Sequence, residues 1–285
     1  MKNCLGIDIG GSKVRFCEQH GEQYHFSDFP LDSSTTINVL NALILSFISK
    51  MNTLPDSIGI AAPGLVENDT LLYSDVLPNL SGWFPEEALA ASCPIRMVND
   101  AKAALMAAVN DAPNNITCAV VVVGTGIGCA ISTGQTILEG AQGWSGELGS
   151  IPIHVGETVS TLDELASGSA LLKKLGYQLQ DLNSDTLAKN PKALEEISSA
   201  GKMFGLGLAT LVNLINPDRL VLGGGTLRFP GYIDAAKQSL AMHALPKSLD
   251  VCQIEIPVDG QTLVAKGAAQ LAVSITPSIK AGTLL

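Results

Sequence analysis

Hydrophobic and polar positions change period several times along the chain, and each change marks an element. Cys4 to Ile9 and Val14 to Glu18 are short apolar runs joined through Gly10-Gly11, and Gln23 to Phe26 follows His20-Gly21, which predicts an opening β-meander. Ile37, Leu40, Ile44, Phe47 and Met51 then recur at three- and four-residue intervals, the stripe of an amphipathic helix, with candidate N-caps from Asp32 to Ser34. Ser57 to Ala61 reads as a strand. Ile95 to Val98 is another, ending in Asn99-Asp100 and running into the Ala-rich helix Ala101 to Val109. Both polar residues therefore fall at a strand's carboxyl end, where α/β folds gather ligand chemistry.

Near Ala112-Pro113 the pattern restarts. Cys118 to Val123 and Ile127 to Ser132 form a second two-strand unit joined by Gly124-Thr125-Gly126, and the echo of the first hairpin suggests two related lobes. A Gly-rich, irregular stretch from Gly140 to Gly156 precedes three helical regions. The longest starts at Asn190-Pro191, a cap with proline at the first helical position, and runs to about Ile215, where Asn216-Pro217 stops it. Arg219 to Leu222 is a strand ending in Gly223-Gly224-Gly225. Helices over Tyr232 to Met242 and Thr262 to Val273 follow, and the chain after Thr276 reads as a loose tail.

Composition narrows the function. With 285 residues, 46% of them hydrophobic and 15% charged, the chain can bury a full core as one large or two modest domains. Lys plus Arg is 17 against 27 for Asp plus Glu, a balance of −10, which argues against a nucleic-acid backbone or an anionic membrane as the main partner. Any bound phosphate must be held locally. Cysteines 4, 17, 93, 118, 129 and 252 form no Cys-x-x-Cys pair and suit a reducing compartment. With no signal-type segment at the start and apolar runs far short of the roughly 20 residues of a membrane span, the expected location is cytoplasmic. His20, His25, His154 and His243 are scattered and offer no metal-ligand spacing.

Five constellations could carry chemistry. In Asp8-Ile9-Gly10-Gly11-Ser12-Lys13 a carboxylate ends a buried strand and glycines let backbone N–H groups approach an anion; Asp8 could hold Mg²⁺ through water, with Ser12 and Lys13 near phosphates. An ordinary hairpin turn would look the same. Gly124-Thr125-Gly126-Ile127-Gly128 occupies the equivalent place in the second half, and two such turns could clamp a triphosphate. Asp100 could accept the proton of a substrate hydroxyl while Asn99 orients that substrate, or could simply cap a helix. The loop Gly140 to Ser150 carries Glu147, suited to accept hydrogen bonds from sugar hydroxyls, or is a flexible surface loop. Gly223, Gly224 and Gly225 could let an adenine ring lie against bare backbone, or make a tight strand-to-helix connection. No Gly-x-Ser-x-Gly elbow and no P-loop occurs.

In order, Asp8 to Lys13, Ala62-Pro63-Gly64, Pro78-Asn79-Leu80 to Trp83, Asn99-Asp100, Gly124 to Gly128, Gly146-Glu147, Ala166-Ser167-Gly168 and Asn216-Pro217 to Gly225 resemble the ROK family of bacterial sugar kinases and repressors, over nearly the whole chain. The resemblance implies an α/β fold of two ribonuclease-H-like, actin-like ATPase lobes with the active site in a cleft between them. It implies an N-terminal lobe of residues 1–112 completed by 268–285, and a C-terminal lobe of 113–267. It implies an ATP-dependent, Mg²⁺-assisted kinase acting on a hexose or N-acetylhexosamine such as glucose, N-acetylglucosamine or N-acetylmannosamine, usually at the 6-hydroxyl. Asp100 would be the base, Gly64, Asn79, Asn99, Glu147, Ser150 and Asp163 would line the sugar pocket, and the turns at Gly10 and Gly124 would hold phosphates.

The sequence departs from the family pattern at a Cys-x-Cys-Gly-x-x-Gly-Cys zinc loop and at a nearby His. Ser150 stands at the His position, Thr161 where the last zinc Cys would be, and Asp163 where the family has a sugar-binding Glu. No structural zinc is expected. A homodimer is the default assembly. Three rivals remain: a repressor, disfavoured by the acidic charge and a phosphate motif reached by residue 8; a catalytically impaired sugar sensor; and an ATP-driven chaperone or filament protein, which would leave the Gly-Glu loop unexplained.

Overall fold

The computed structural model describes residues 3–21, 23–89, 93–110, 112–177 and 187–275, and these divide between two compact units, 1–107 with 264–285 and 108–263. The first opens with β1 (Asn3–Ile9), β2 (Lys13–His20) and β3 (Gln23–Pro30), then α1 (Ile37–Ile48), β4 (Ser57–Ala62), the short hairpin β5 (Leu65–Glu67) and β6 (Thr70–Tyr73), α2 (Pro85–Leu89), β7 (Ile95–Asn99) and α3 (Asp100–Val109). Its main sheet has the order β3-β2-β1-β4-β7, with β1 antiparallel to β2 and parallel to β4, and β4 parallel to β7. β1 lies at the centre, so its run Cys4 to Ile7 is buried without alternation, as expected of a strand covered on both faces.

The apolar stripe of α1 buries Leu40 and Ile44 in the same core cluster as Leu5, Ile7 and Ile60 of the sheet. Its start differs from the sequence expectation. The N-cap is Thr36, with no side-chain cap bond, while the Asp32 carboxylate accepts from the backbone N–H of Ser34 at 2.8 Å in a local turn. An Asp two residues before a free N–H closes its own turn more readily than it reaches a helix further on. The helix ends at Ile48, so Met51 joins the same apolar cluster from outside it.

The second unit contains β8 (Thr117–Val123), β9 (Ile127–Thr133), β10 (Thr136–Ile137), β11 (Pro152–Val155), β12 (Thr158–Thr161), α4 (Leu162–Ala166), α5 (Gly168–Leu175), α6 (Pro191–Ile215), β13 (Arg219–Gly223), α7 (Tyr232–His243), α8 (Pro246–Val251) and β14 (Gln253–Glu255). The order of its main sheet is β10-β9-β8-β13-β14, again an antiparallel hairpin followed by two parallel strands on the far side of its first member. The two units thus share one topology, which the sequence echo of the hairpins only suggested. The hairpin β11/β12 begins in the stretch read as irregular, with β11 inside it and β12 just beyond Gly156. α6 begins and ends where its residues require: the Asn190 side chain accepts from Ala193 N–H, Pro191 follows, and Asn216 closes the helix at φ 49°. The expected tail after Thr276 lies outside the described residues.

The last helix, α9 (Leu263–Ser274), belongs to the first unit and packs through small residues. Gly6 and Gly59 on β1 and β4 bring the sheet against the α9 backbone at Ala269 and Ala268, and Gly267 sits against the carbonyl of Ala103 on α3. A side chain at 267 would collide with backbone rather than with a movable side chain. Gly267→Val is therefore expected to cost about 3 kcal/mol through overpacking, read as a lower midpoint in urea with an unchanged slope.

Candidate active site

In the first unit the turn between β1 and β2 is closed by its own backbone: Gly10 N–H donates to the Lys13 carbonyl at 2.9 Å, and Leu31 N–H donates to the Ser12 carbonyl at 3.0 Å. Among the described residues, the N–H groups of Gly11 and Ser12 have no protein partner. Successive unpaired N–H groups in a turn form a concavity suited to an anion. Asp8, half-buried at the end of β1, has its carboxyl pushed up to about 7, chiefly by burial and further by the charge of Asp100, while Arg15 and Lys13 pull it back. Asp8 and Asp100 thus sense each other within one unit.

Arg15 faces Asp8 across the β1–β2 register and is buried. Its Nε and a terminal nitrogen donate to Asp28 at 2.6 and 2.7 Å, and Lys13 Nζ reaches the same carboxylate at 2.6 Å. Lys13 is thus held by Asp28 on β3, a partner that sequence reading missed because the pairing crosses two strands. The hydrogen bond from Arg15, with that of Lys13, holds the Asp28 carboxyl at about 2. Its contribution to stability is present above about pH 4 and is lost as pH falls towards 2. Because Asp28 is 39% exposed, Asp28→Ala is expected to cost about 1–2 kcal/mol at pH 7, below the value for a fully buried pair. In urea melts that difference should shrink between pH 4 and pH 2.

At the β7–α3 junction, Asn99 Oδ1 accepts from the N–H of Ala101 at 2.9 Å and of Lys102 at 3.4 Å, while its Nδ2 donates to the Gly64 carbonyl at 3.0 Å. Asn99 therefore supplies the helix cap, and Asp100, which also accepts from Ala101 N–H at 2.8 Å, is not needed for that task alone. Gly64 has φ +115°, and a Cβ there would run into the Tyr73 carbonyl, so the loop it shares with Asn99 requires glycine. Asn79 Nδ2 donates to the carbonyls of Ser33 and Ser34 at 3.4 and 3.2 Å, tethering its 3₁₀ turn to the segment before α1.

The second unit repeats the turn. Gly124 N–H donates to the Gly126 carbonyl at 2.9 Å, and among the described residues the N–H groups of Thr125 and Gly126 have no protein partner. Its carbonyls are anchored from outside. Gly168 N–H and Thr226 Oγ1 donate to the Gly124 carbonyl at 2.8 and 3.1 Å, and Ser169 Oγ donates to that of Thr125 at 2.7 Å. Ser169 and Thr226 were not singled out from the sequence, since only the fold brings α5 and the β13–α7 connection to this turn. On that connection Gly224 has φ +102° and its Cβ would meet Val123, whereas a Cβ on Gly225 would meet nothing within 4 Å. Sterics thus demand Gly224 and leave the surface at Gly225 open.

Glu147 and Ser150 are exposed on one 3₁₀ turn, closed by Ser150 N–H donating to the Glu147 carbonyl at 3.1 Å. Asp163, on the first turn of α4, accepts from Ile127 N–H at 2.7 Å. Thr161 forms a capping box with Glu164, with bonds of 3.2 and 2.9 Å, so the residue at the last zinc-Cys position starts a helix. Among the described residues no group of three or more His, Cys, Asp or Glu stands together as a metal site. None of the described helices is long and apolar enough to cross a membrane.

Two α/β units of one topology, each opening on an antiparallel hairpin with a glycine-rich turn, define the actin-like ATPase fold. The chain belongs to the ROK family, whose model matches residues 4–275. It is 27% identical to a glucokinase of Halalkalibacterium halodurans over 90% of each chain. Among solved structures it is similar to a ROK hexokinase from Thermus thermophilus, at 25% identity and a TM-score of 0.72 over 95% of this chain and 98% of that one. A ROK glucokinase from Streptomyces griseus in complex with glucose and AMPPNP has 20% identity and a TM-score of 0.80 over 95% and 99% of the two chains.

Proposed function

We propose that the protein transfers the γ-phosphoryl group of ATP to a hydroxyl, the 6-hydroxyl first, of a hexose or N-acetylhexosamine. The observation that carries this reading is the pair of matching turns: Gly11 and Ser12 in one unit, Thr125 and Gly126 in the other, each leave two N–H groups for an anion. A protein that only bound a sugar would need neither. The family membership and the glucokinase likeness support the same chemistry.

Asp8 fits a divalent cation, because burial and the charge of Asp100 raise its proton affinity and a positive charge beside it would relieve that. Asp8 would hold Mg²⁺ through its bound water, and the ion would supply shielding of the phosphate oxygens. Asp100 accepts the proton of the attacking hydroxyl, and Asn99, fixed at both ends of its amide, holds the backbone at Gly64 beside it. The turn N–H groups carry the phosphates, so that positioning and charge compensation do most of the work. Glu147, with Ser150 on the same turn, receives sugar hydroxyls, and the open surface at Gly225 accepts the adenine ring, while in the first unit Asn79 is a further sugar-binding candidate. Residues 1–112 with the C-terminal helix would form the lobe of the base, and 113–267 that of the nucleotide.

The test is ADP release with ATP and Mg²⁺ over a panel of hexoses and N-acetylhexosamines. Turnover stimulated by at least one sugar is expected, and none with any sugar removes the kinase reading.

A further inference from the structure

We propose that Asp163 is a positioning residue of the nucleotide-phosphate turn, acting through Ile127 N–H, and not a contact to the sugar. The inference rests on the kinase reading and assigns a separate duty within it. Ile127 is the residue that immediately follows Gly124-Thr125-Gly126, and its N–H donates to Asp163 Oδ1 at 2.7 Å. The same carboxylate lies 3.6–3.9 Å from where a Cβ on Gly126 would stand, ordinary contact distance, so it packs directly under the turn.

Three features fix it there. Thr161 and Glu164 lock the helix start that carries Asp163 through reciprocal bonds, and Leu162 beside it is fully buried. A Cβ on Gly149 would lie 2.5–2.6 Å from the three carboxyl atoms, so the backbone of the Glu147–Ser150 turn closes over the carboxylate with no room for a larger residue. The other anchors of the turn, Gly168, Ser169 and Thr226, all hold carbonyls on its β8 side, whereas Asp163 holds the N–H on its β9 side. Between these anchors stand Thr125 and Gly126, whose N–H groups point to no protein acceptor among the described residues. Loosening the β9 side would spoil their aim at a phosphate. The short side chain matters: a Glu at 163 would carry its carboxylate a methylene further, into the Gly149 backbone or the turn.

The test compares Asp163→Ala, Asp163→Asn and Asp163→Glu by steady-state kinetics. Asp163→Ala is expected to raise KM for ATP about ten-fold with KM for sugar within about two-fold. Asp163→Asn keeps an oxygen for Ile127 N–H and is expected to recover most of that loss, while Asp163→Glu should fail to do so. A rise in sugar KM with ATP KM unchanged, or full recovery by Asp163→Glu, overturns the proposal. Hydrogen exchange gives a readout independent of turnover: faster exchange at Ile127 in Asp163→Ala and wild-type protection in Asp163→Asn are expected, and unchanged exchange in both overturns it. If the wild type shows no sugar-dependent turnover, the kinase reading fails by itself. AMPPNP affinity then decides this one, about ten-fold weaker binding to Asp163→Ala supporting it and unchanged binding sinking it. Should Asp163→Ala not fold, the Asp163→Asn and Asp163→Glu pair decides by the same ATP-against-sugar comparison.

Discussion

Asp100→Asn is expected to lower sugar-dependent kcat about 10³-fold while leaving the fold and the sugar KM close to those of the wild type. The substitution keeps the shape of the side chain and an oxygen for Ala101 N–H, the bond that Asp100 makes at 2.8 Å. Asn99 caps α3 in either case, so no helix end is lost. What disappears is the ability to take a proton from the attacking hydroxyl. Removing the charge also relieves Asp8, whose proton affinity Asp100 raises, so the melting temperature should hold or rise. A variant that retains turnover within a few-fold would show that Asp100 is only a structural residue at the helix start.

The second large effect is on stability. Asp8 binds its proton up to about pH 7 in the folded chain, well above the ordinary carboxylate range, so between about pH 4 and pH 7 the native state holds a proton that the unfolded chain has released. Stability contributed at this position therefore falls as pH rises through that window and stays low above it. Asp8→Asn removes the penalty. The variant is expected to be more stable than wild type at pH 8 by a few kcal/mol, with about 4 kcal/mol as the ceiling, and the advantage should vanish towards pH 4. It should also lose phosphoryl transfer, because the carboxylate that costs the fold stability is the one proposed to hold the cation; activity and stability oppose each other at such sites. Urea melts at pH 4, 6 and 8 check the sign. A variant less stable than wild type at pH 8 would contradict the burial argument.

The hairpin strands, the Asn99-Asp100 junction and the caps of α6 were legible because local residues determine them: glycine pairs at turns, polar residues ending an apolar run, Asn-Pro before a helix. The hairpins β5/β6 and β11/β12 were not, since three- and four-residue strands with exposed positions carry too little alternation to stand out from a loop. Asp32 illustrates the competing pull of a local turn on a residue that also suits a helix cap. At the site, candidate residues could be chosen by type and order, but their partners could not. That Lys13 is held by Asp28 and that Asp163 touches Ile127 follow from tertiary placement, whereas the Thr161 cap is a local Thr-x-x-Glu pattern that went unread beside the zinc-loop comparison. The shared sheet order of the two units likewise emerges only once strands are paired across helices.

On the proposed reading, a phosphoryl group passes from ATP to a sugar hydroxyl. Phosphorus NMR of the wild-type protein with ATP, Mg²⁺ and the sugar that best stimulates ADP release, or binds most tightly by calorimetry, tests it without a coupling enzyme. A new phosphate monoester coupled to the protons at carbon 6, growing as ADP appears and absent with Asp100→Asn, is the expected result. Sugar binding with no phosphorylated sugar would contradict the claim and put a sugar sensor in the kinase's place.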